Sequence, residues 1–237
     1  MINGAKQRTT LDRTRALPGE ERPVAVDGGK WRSALPEDAW PREFPVHGAV
    51  WRQDVFAVAA LWREGRADAR QLLAATLMRQ QGANPHGRRR ALRTLAGDPS
   101  GARLEAVLER VRKDSPTPAD LRAAYVAFRR DCRLPLFHPD FSTRLIYFAG
   151  YRRGSGGIQP LMLDDAIAAL LPAGITSPAN RGSSHEWARY VAWAAQRAAA
   201  DGVEPDRVEM DLSAGGARYG PVRRAPVPAR GRHAKRD

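Results

Sequence analysis

The stretch HPDFSTRLIYFAGYRRGSGGIQPLMLDDAIAAL, residues 138–170, decides how the rest of the chain is read. It opens on a turn, His138-Pro139-Asp140-Phe141-Ser142. Pro139 is excluded from a helix interior, and Asp140 or Ser142 can cap a helix start. Thr143 to Tyr151 then sets Leu145, Ile146, Phe148 and Ala149 on a mostly apolar helical segment. Arg152-Arg153-Gly154-Ser155-Gly156-Gly157 breaks that helix. The apolar run Pro160-Leu161-Met162-Leu163 leads straight into Asp164-Asp165, which open a second helix reaching Leu170. A carboxylate at a helix start, behind an apolar run, is held in place and partly dried.

Working outward, the same periodicity predicts helices on both sides. Upstream, Val50–Arg66 carries an apolar pattern of Val55, Phe56, Val58, Ala59, Leu61 and Trp62 that suits an amphipathic helix, and Ala67–Gln81 turns Leu72, Leu73, Leu77 and Met78 inward. A third helix opens at Pro85 and runs through Leu92 and Leu95, and Ser100–Asp114 is a fourth. Thr117 caps a fifth, with Pro118 at its first position. Downstream, Ser184 caps a long helix to Asp201, and Pro205–Leu212 adds a short one. No extended alternation of strand type stands out, so the fold class is all-α. Residues 1–34 read as a basic flexible tail, 35–212 as one helical domain, and 213–237 as a basic disordered tail. Trp31 and Trp40 flank a segment suited to lie over the domain as an anchored arm.

Charge narrows the partners. The 237 residues carry a formal net charge of +13 and a pI near 11.0, with only four lysines, at Lys6, Lys30, Lys113 and Lys235. An arginine-built excess of this size suits a polyanion, most simply nucleic acid; the alternative is an arginine-rich composition with no such role. Cys132 is the only cysteine, so no disulfide framework or Cys-based zinc site forms within the chain, and it reads as a buried, inert thiol. The histidines are scattered without ligand spacing, so neither metal nor other cofactor is expected. No run approaches the roughly 20 apolar residues of a membrane span, and the N-terminus has no signal-peptide core, which points to a soluble cytoplasmic protein.

The 138–170 segment resembles the active-site region of the helix-hairpin-helix DNA glycosylases, and most closely an 8-oxoguanine glycosylase-like bacterial branch. In that superfamily a hairpin of the type L-P-G-V-G-T/P-K is followed by a P-V-D-x-x-V/M motif. Here Pro139-Asp140-Phe141-Ser142-Thr143-Arg144 takes the hairpin register, and Pro160-Leu161-Met162-Leu163-Asp164-Asp165-Ala166-Ile167 the second. Both hairpin glycines are replaced, by Asp140 and Ser142, and Arg144 stands where bifunctional members have a nucleophilic lysine. The resemblance spans roughly Trp51 to Leu171. It implies a helix-hairpin-helix fold, a monomer acting on double-stranded DNA beside the nucleoid, and Asp164 as the catalytic carboxylate with Asp165 in reserve.

A base inside a duplex must be flipped out to be reached, and the carboxylate then stabilises oxocarbenium-like charge or directs a water. An ordinary N-cap acid is the alternative reading of Asp164. Arginine stays protonated and makes no Schiff base, so the enzyme implied is monofunctional; Arg144 would hold a phosphate or the departing base, or else pair with Asp164 and leave a dead site. Gln81, then Gln80, is the candidate to fill the gap left by an expelled base, unless both are plain surface glutamines. Arg88, Arg89 and Arg90 at a helix start, Ser142 and Thr143 in the hairpin register, and Arg152 and Arg153 after the helix are the candidate phosphate contacts. A non-catalytic DNA-binding protein on the same scaffold, or an all-α interaction module, are the competing functions.

Overall fold

A computed structural model describes residues 15–20, 22–42, 44–45, 48–113, 116–176 and 182–216. Among them lie ten α-helices and one two-stranded sheet. The helices are α1 (Gly28–Arg32), α2 (Arg52–Arg63), α3 (Ala69–Gln81), α4 (Pro85–Ala96), α5 (Ala102–Leu108), α6 (Pro118–Ala127), α7 (Pro139–Gly150), α8 (Asp165–Ala168), α9 (Ser184–Asp201) and α10 (Pro205–Ser213). Strands β1 (Val24–Ala25) and β2 (Ala49–Val50) pair antiparallel, Val24 with Val50 and Ala25 with Ala49. The all-α class holds.

Local chemistry sets the helix starts. Asp68 and Gln71 form a reciprocal capping box at α3, and Thr117 and Asp120 form another at α6, where Pro118 takes the first helical position. Asn84 caps α4 ahead of Pro85. The cap of α9 is Ser183 rather than the expected Ser184. The predicted fourth helix is shorter than its pattern suggested: α5 stops at Leu108 and tightens into a 3₁₀ turn over Glu109–Val111. α6 continues as a π-helical turn, Phe128–Cys132. Cys132 is buried, and burial pushes its thiol up to about 12.

The centre of the molecule is α7, packed against α2, α3 and α6. From Phe141 to Gly150 only Arg144 is not buried. Its polar groups therefore find partners inside the protein. The Tyr147 hydroxyl donates to Asp206 on α10 (3.2 Å) and accepts from Arg52 on α2. Arg52 is paired with Glu209, both side chains almost fully shielded. Burial works against the Arg52 charge, but the Glu209 carboxylate beside it outweighs that and holds its pKa above the usual value. Glu20 adds a third arm, accepting from the Arg52 backbone amide (3.0 Å) and from Arg79 on α3 (2.7 Å).

The leader is the main departure from the sequence expectation. Residues 15–34 fall within the supposed tail, yet much of this stretch is packed into the domain. Trp31 is wholly inaccessible and its indole N–H donates to the Gly82 carbonyl at the end of α3 (2.9 Å). Leu17 and Val26 are buried too. The physical reason is that one tryptophan supplies more apolar area than the surrounding charges can oppose, which a composition average over the stretch conceals. Residues 1–14 and 217–237, the rest of the two expected tails, lie outside the described residues. Trp31→Ala is predicted to cost about 3–5 kcal/mol of stability, measurable by urea denaturation, whereas a substitution in a true tail would leave the midpoint unmoved.

Candidate active-site cleft

The site is built by the contact of α7 with the segment that enters α8. Thr143, one turn into α7, is buried, and its hydroxyl lies 3.1 Å from the amide of Leu163 and 3.2 Å from the same residue's carbonyl. That hydroxyl accepts from the amide and also bonds the carbonyl of Asp140 at 3.0 Å. A single side chain thus pins the residue immediately before Asp164. The Trp187 indole fastens Leu161, two residues earlier, by donating to its carbonyl (2.8 Å).

Asp164 is then fixed at both oxygens. Oδ1 caps α8 by accepting from the Ile167 amide (2.9 Å). Oδ2 accepts from Arg144, 2.6 Å away and twenty residues earlier in the chain. Of the alternatives weighed for Arg144, this geometry has it paired with Asp164. The Asp164 side chain keeps 28 % of its accessibility and Arg144 keeps 21 %, so the pair is neither sealed nor loose.

In front of Asp164 opens a cleft of about 570 Å³. Its walls include Arg90, Tyr125, His138, Phe141, Thr143, Asp164, Asp165 and Glu186. Arg144 is not among the lining residues; it holds the carboxylate without facing the opening. Asp165 lines the cleft but starts α8 as an exposed residue. Tyr125 donates to the Gly182 carbonyl, and burial pushes its phenol up to about 12, so it stays a neutral donor across the ordinary pH range.

The other candidates scatter. Pro139–Arg144, read as a hairpin, forms the first turns of α7: Pro139 sits at the first helical position, where its missing N–H costs nothing. The turn between the helices is made instead by residues 133–138, with Arg133 and Leu136 in the left-handed region. Ser142 is buried, and Thr143, also buried, is engaged as above while lining the cleft. Arg152 is spent on main-chain carbonyls, those of Ala149 (2.9 Å) and Arg112 (2.7 Å) among them, and Arg153 pairs with the buried Asp206. Gln80 and Gln81 end α3 but do not line the cleft; a Cβ on Gly87 would fall 2.1 Å from Gln81 Oε1, so Gln81 lies along the first turn of α4. Arg89 and Arg90 are exposed, and Arg88 is half-buried. His86 is exposed, His185 is within 2.9 Å of Arg122 and Trp187 is fully buried, whereas His138 lines the cleft.

Glu186 is the cleft residue that sequence reasoning missed. In Ser183-Ser184-His185-Glu186 it has the look of a routine helix-start acid, and its amide does bond Ser183 (3.1 Å). Nothing local says that the residue is 1 % exposed and faces the same cavity as Asp164. Among the described residues no group of three or more His, Cys, Asp or Glu side chains is placed to hold a metal ion, and no helix is long and apolar enough to cross a membrane.

Residues 18–212 match the model of the family described as "Putative 8-oxoguanine DNA glycosylase OGG-like protein", and the chain belongs to that family. No match was found among curated proteins or among solved structures. The clamp on Leu163 is testable directly. Thr143→Val keeps the shape and strips the hydroxyl from a main-chain N–H and C=O, and is predicted to lower stability by about 1–3 kcal/mol in a denaturant melt.

Proposed function

We propose that this OGG-like protein is a DNA-base N-glycosylase that releases a damaged or modified base by water attack, with Asp164 as the catalytic carboxylate and no strand-nicking step. The observation that carries the reading is the Asp164 carboxylate, held from behind by Arg144 and from below by the Ile167 amide, with an open cleft before it. The cleft falls within the size range of small-ligand sites, large enough for one extruded base. A carboxylate offers about four acceptor positions over its two oxygens, so each Asp164 oxygen keeps one after its structural bond. One can orient or deprotonate a water while the fixed negative charge stabilises the developing oxocarbenium.

The amines among the described residues support a mechanism without a lyase step. Arginine remains protonated and does not attack the sugar carbon. Of the lysines, Lys30 pairs with Asp27 and Lys113 with Asp120, and neither lines the cleft; Lys6 and Lys235 lie outside the described residues. Double-stranded DNA is the partner, met by a single copy of the chain beside the nucleoid. The exposed Arg89 and Arg90 near the cleft supply part of the phosphate contact.

A second reading, a DNA-binding protein without catalysis, draws on the same ion pair: Arg144 already occupies one side of the carboxylate. One experiment separates the two. Duplexes carrying different modified bases are incubated with the protein and scored for alkali-labile sites. Asp164→Asn is predicted to lower single-turnover base release by at least about 100-fold while salt-dependent DNA binding persists. Full release by the variant would remove Asp164 from the mechanism, and no release from any duplex would favour the second reading. Borohydride added during turnover is predicted to trap no protein–DNA adduct, and strands are left with intact abasic sites.

A further inference from the structure

Charge in the cleft runs against charge in the chain. The protein carries a formal net charge of +13. Yet the cleft before Asp164 is lined by four carboxylates, Asp140, Asp164, Asp165 and Glu186, and among the described residues Arg90 is the guanidinium that lines it. Arg144 offsets Asp164 from behind, which still leaves the acids in excess. Glu186 is the least exposed of the four at 1 %, where its field is little screened by water. Much of the remaining wall is aromatic. The Tyr125 ring is stacked on Trp187, centroids 5.4 Å apart, and Phe141 lies against Phe137 and His138, at 5.8 and 6.2 Å. Ionised carboxylates accept hydrogen bonds and donate none, and aromatic faces attract cations. Both features favour a ligand bearing positive charge over a neutral one of the same size.

We propose that the base selected by this cleft is a cationic one, a purine alkylated at a ring nitrogen, and that Glu186 sets the preference. This rests on the reading of the cleft as the place that receives a flipped base. The chemistry of departure agrees with it. In a 7-alkylguanine the C1′–N9 bond breaks and its electron pair goes to N9, cancelling the charge of the imidazolium ring. The oxygen of water bonds C1′, and its proton passes to Asp164 and on to solvent. The base leaves neutral and needs no proton from the protein. A neutral purine leaves as an anion unless an acid protonates it. The Tyr125 hydroxyl, whose proton is held by the Gly182 carbonyl, is poorly placed to do so.

The test uses the full chain and duplexes holding one 7-methylguanine or one 8-oxoguanine, with released base measured by mass spectrometry against a protein-free control. 7-Methylguanine is released at least about tenfold faster. Binding is compared on a 2′-fluoro-stabilised 7-methylguanine duplex and on its neutral isostere, 7-methyl-7-deazaguanine, and the wild type prefers the cation. Glu186→Gln keeps the shape, removes the charge and cuts that preference at least about threefold. Asp165→Asn, at an exposed position where folding is not at stake, cuts it in the same direction, and decides alone should Glu186→Gln fail to fold. Equal binding of the cation and its neutral isostere by the wild type, or a preference untouched by folded Glu186→Gln, overturns the proposal. So does release of 8-oxoguanine as fast as 7-methylguanine or faster, an outcome that leaves the glycosylase reading standing. Preferential binding of the cationic duplex with no base released from either keeps the selective cleft and fells the glycosylase reading. Failure to bind any duplex overturns both.

Discussion

A helix walled in on nearly all of its circumference leaves its polar side chains no recourse to water, and that constraint governs this molecule. α7 is buried from Phe141 to Gly150 except at Arg144. A buried polar group without a partner costs more than a hydrogen bond gains. Each polar residue of α7 therefore dictates what must come to meet it. Thr143 draws in Leu163, Arg144 draws in Asp164, and Tyr147 draws in Arg52 and Asp206. The first two contacts make the cleft wall. The third ties α7 to α2 and α10. The arrangement at Asp164 thus combines a buried, satisfied Thr143 with Arg144, the residue of this stretch that is not buried.

The same constraint explains how the charge is organised. Among the described residues most arginines are at least partly exposed, but Arg52 pairs with Glu209 and Arg79 with Glu20 in the interior, and the exposed Arg153 reaches the buried Asp206. Buried pairs of this kind are poor sources of net stability compared with apolar packing, but breaking one by removing a single partner is expensive. They specify which elements lie together. Around Asp206 the balance is incomplete: burial, only partly offset by Arg153 and Arg52, holds its carboxyl above the usual range. The arginines left outside include Arg89, Arg129, Arg130 and Arg133.

Much of the helical framework was legible in the sequence because helix starts are local. Thr117-Pro118 and Asn84-Pro85 announce themselves, and Asp164 after an apolar run is a visible cap. The pairing of Arg144 with Asp164 stood in the sequence as one of several alternatives, reached through the resemblance rather than through periodicity. What was not readable depends on distant partners. Pro139 looked like a turn residue and is a first-turn helix residue. Arg152 and Arg153 looked free for phosphate and are committed to carbonyls and to Asp206. Ser142 and Thr143 looked like a surface hairpin and are interior. Leu136 carries no local signal of its left-handed backbone, since no glycine marks it.

The knot of Glu20, Arg52, Arg79 and Glu209 has a consequence for the birth of the protein. Its members come from the first and last described parts of the fold, and Arg52 and Glu209 are separated by 157 residues. On a ribosome, which releases a chain from its N-terminus onward, Glu209 emerges after nearly every other element has been made. Until then Arg52 waits unmatched against an interior that cannot close around it. Such long-range closure is slow. The nascent chain must therefore complete α8 and α9 with its central helix incompletely covered, and final locking coincides with the arrival of α10.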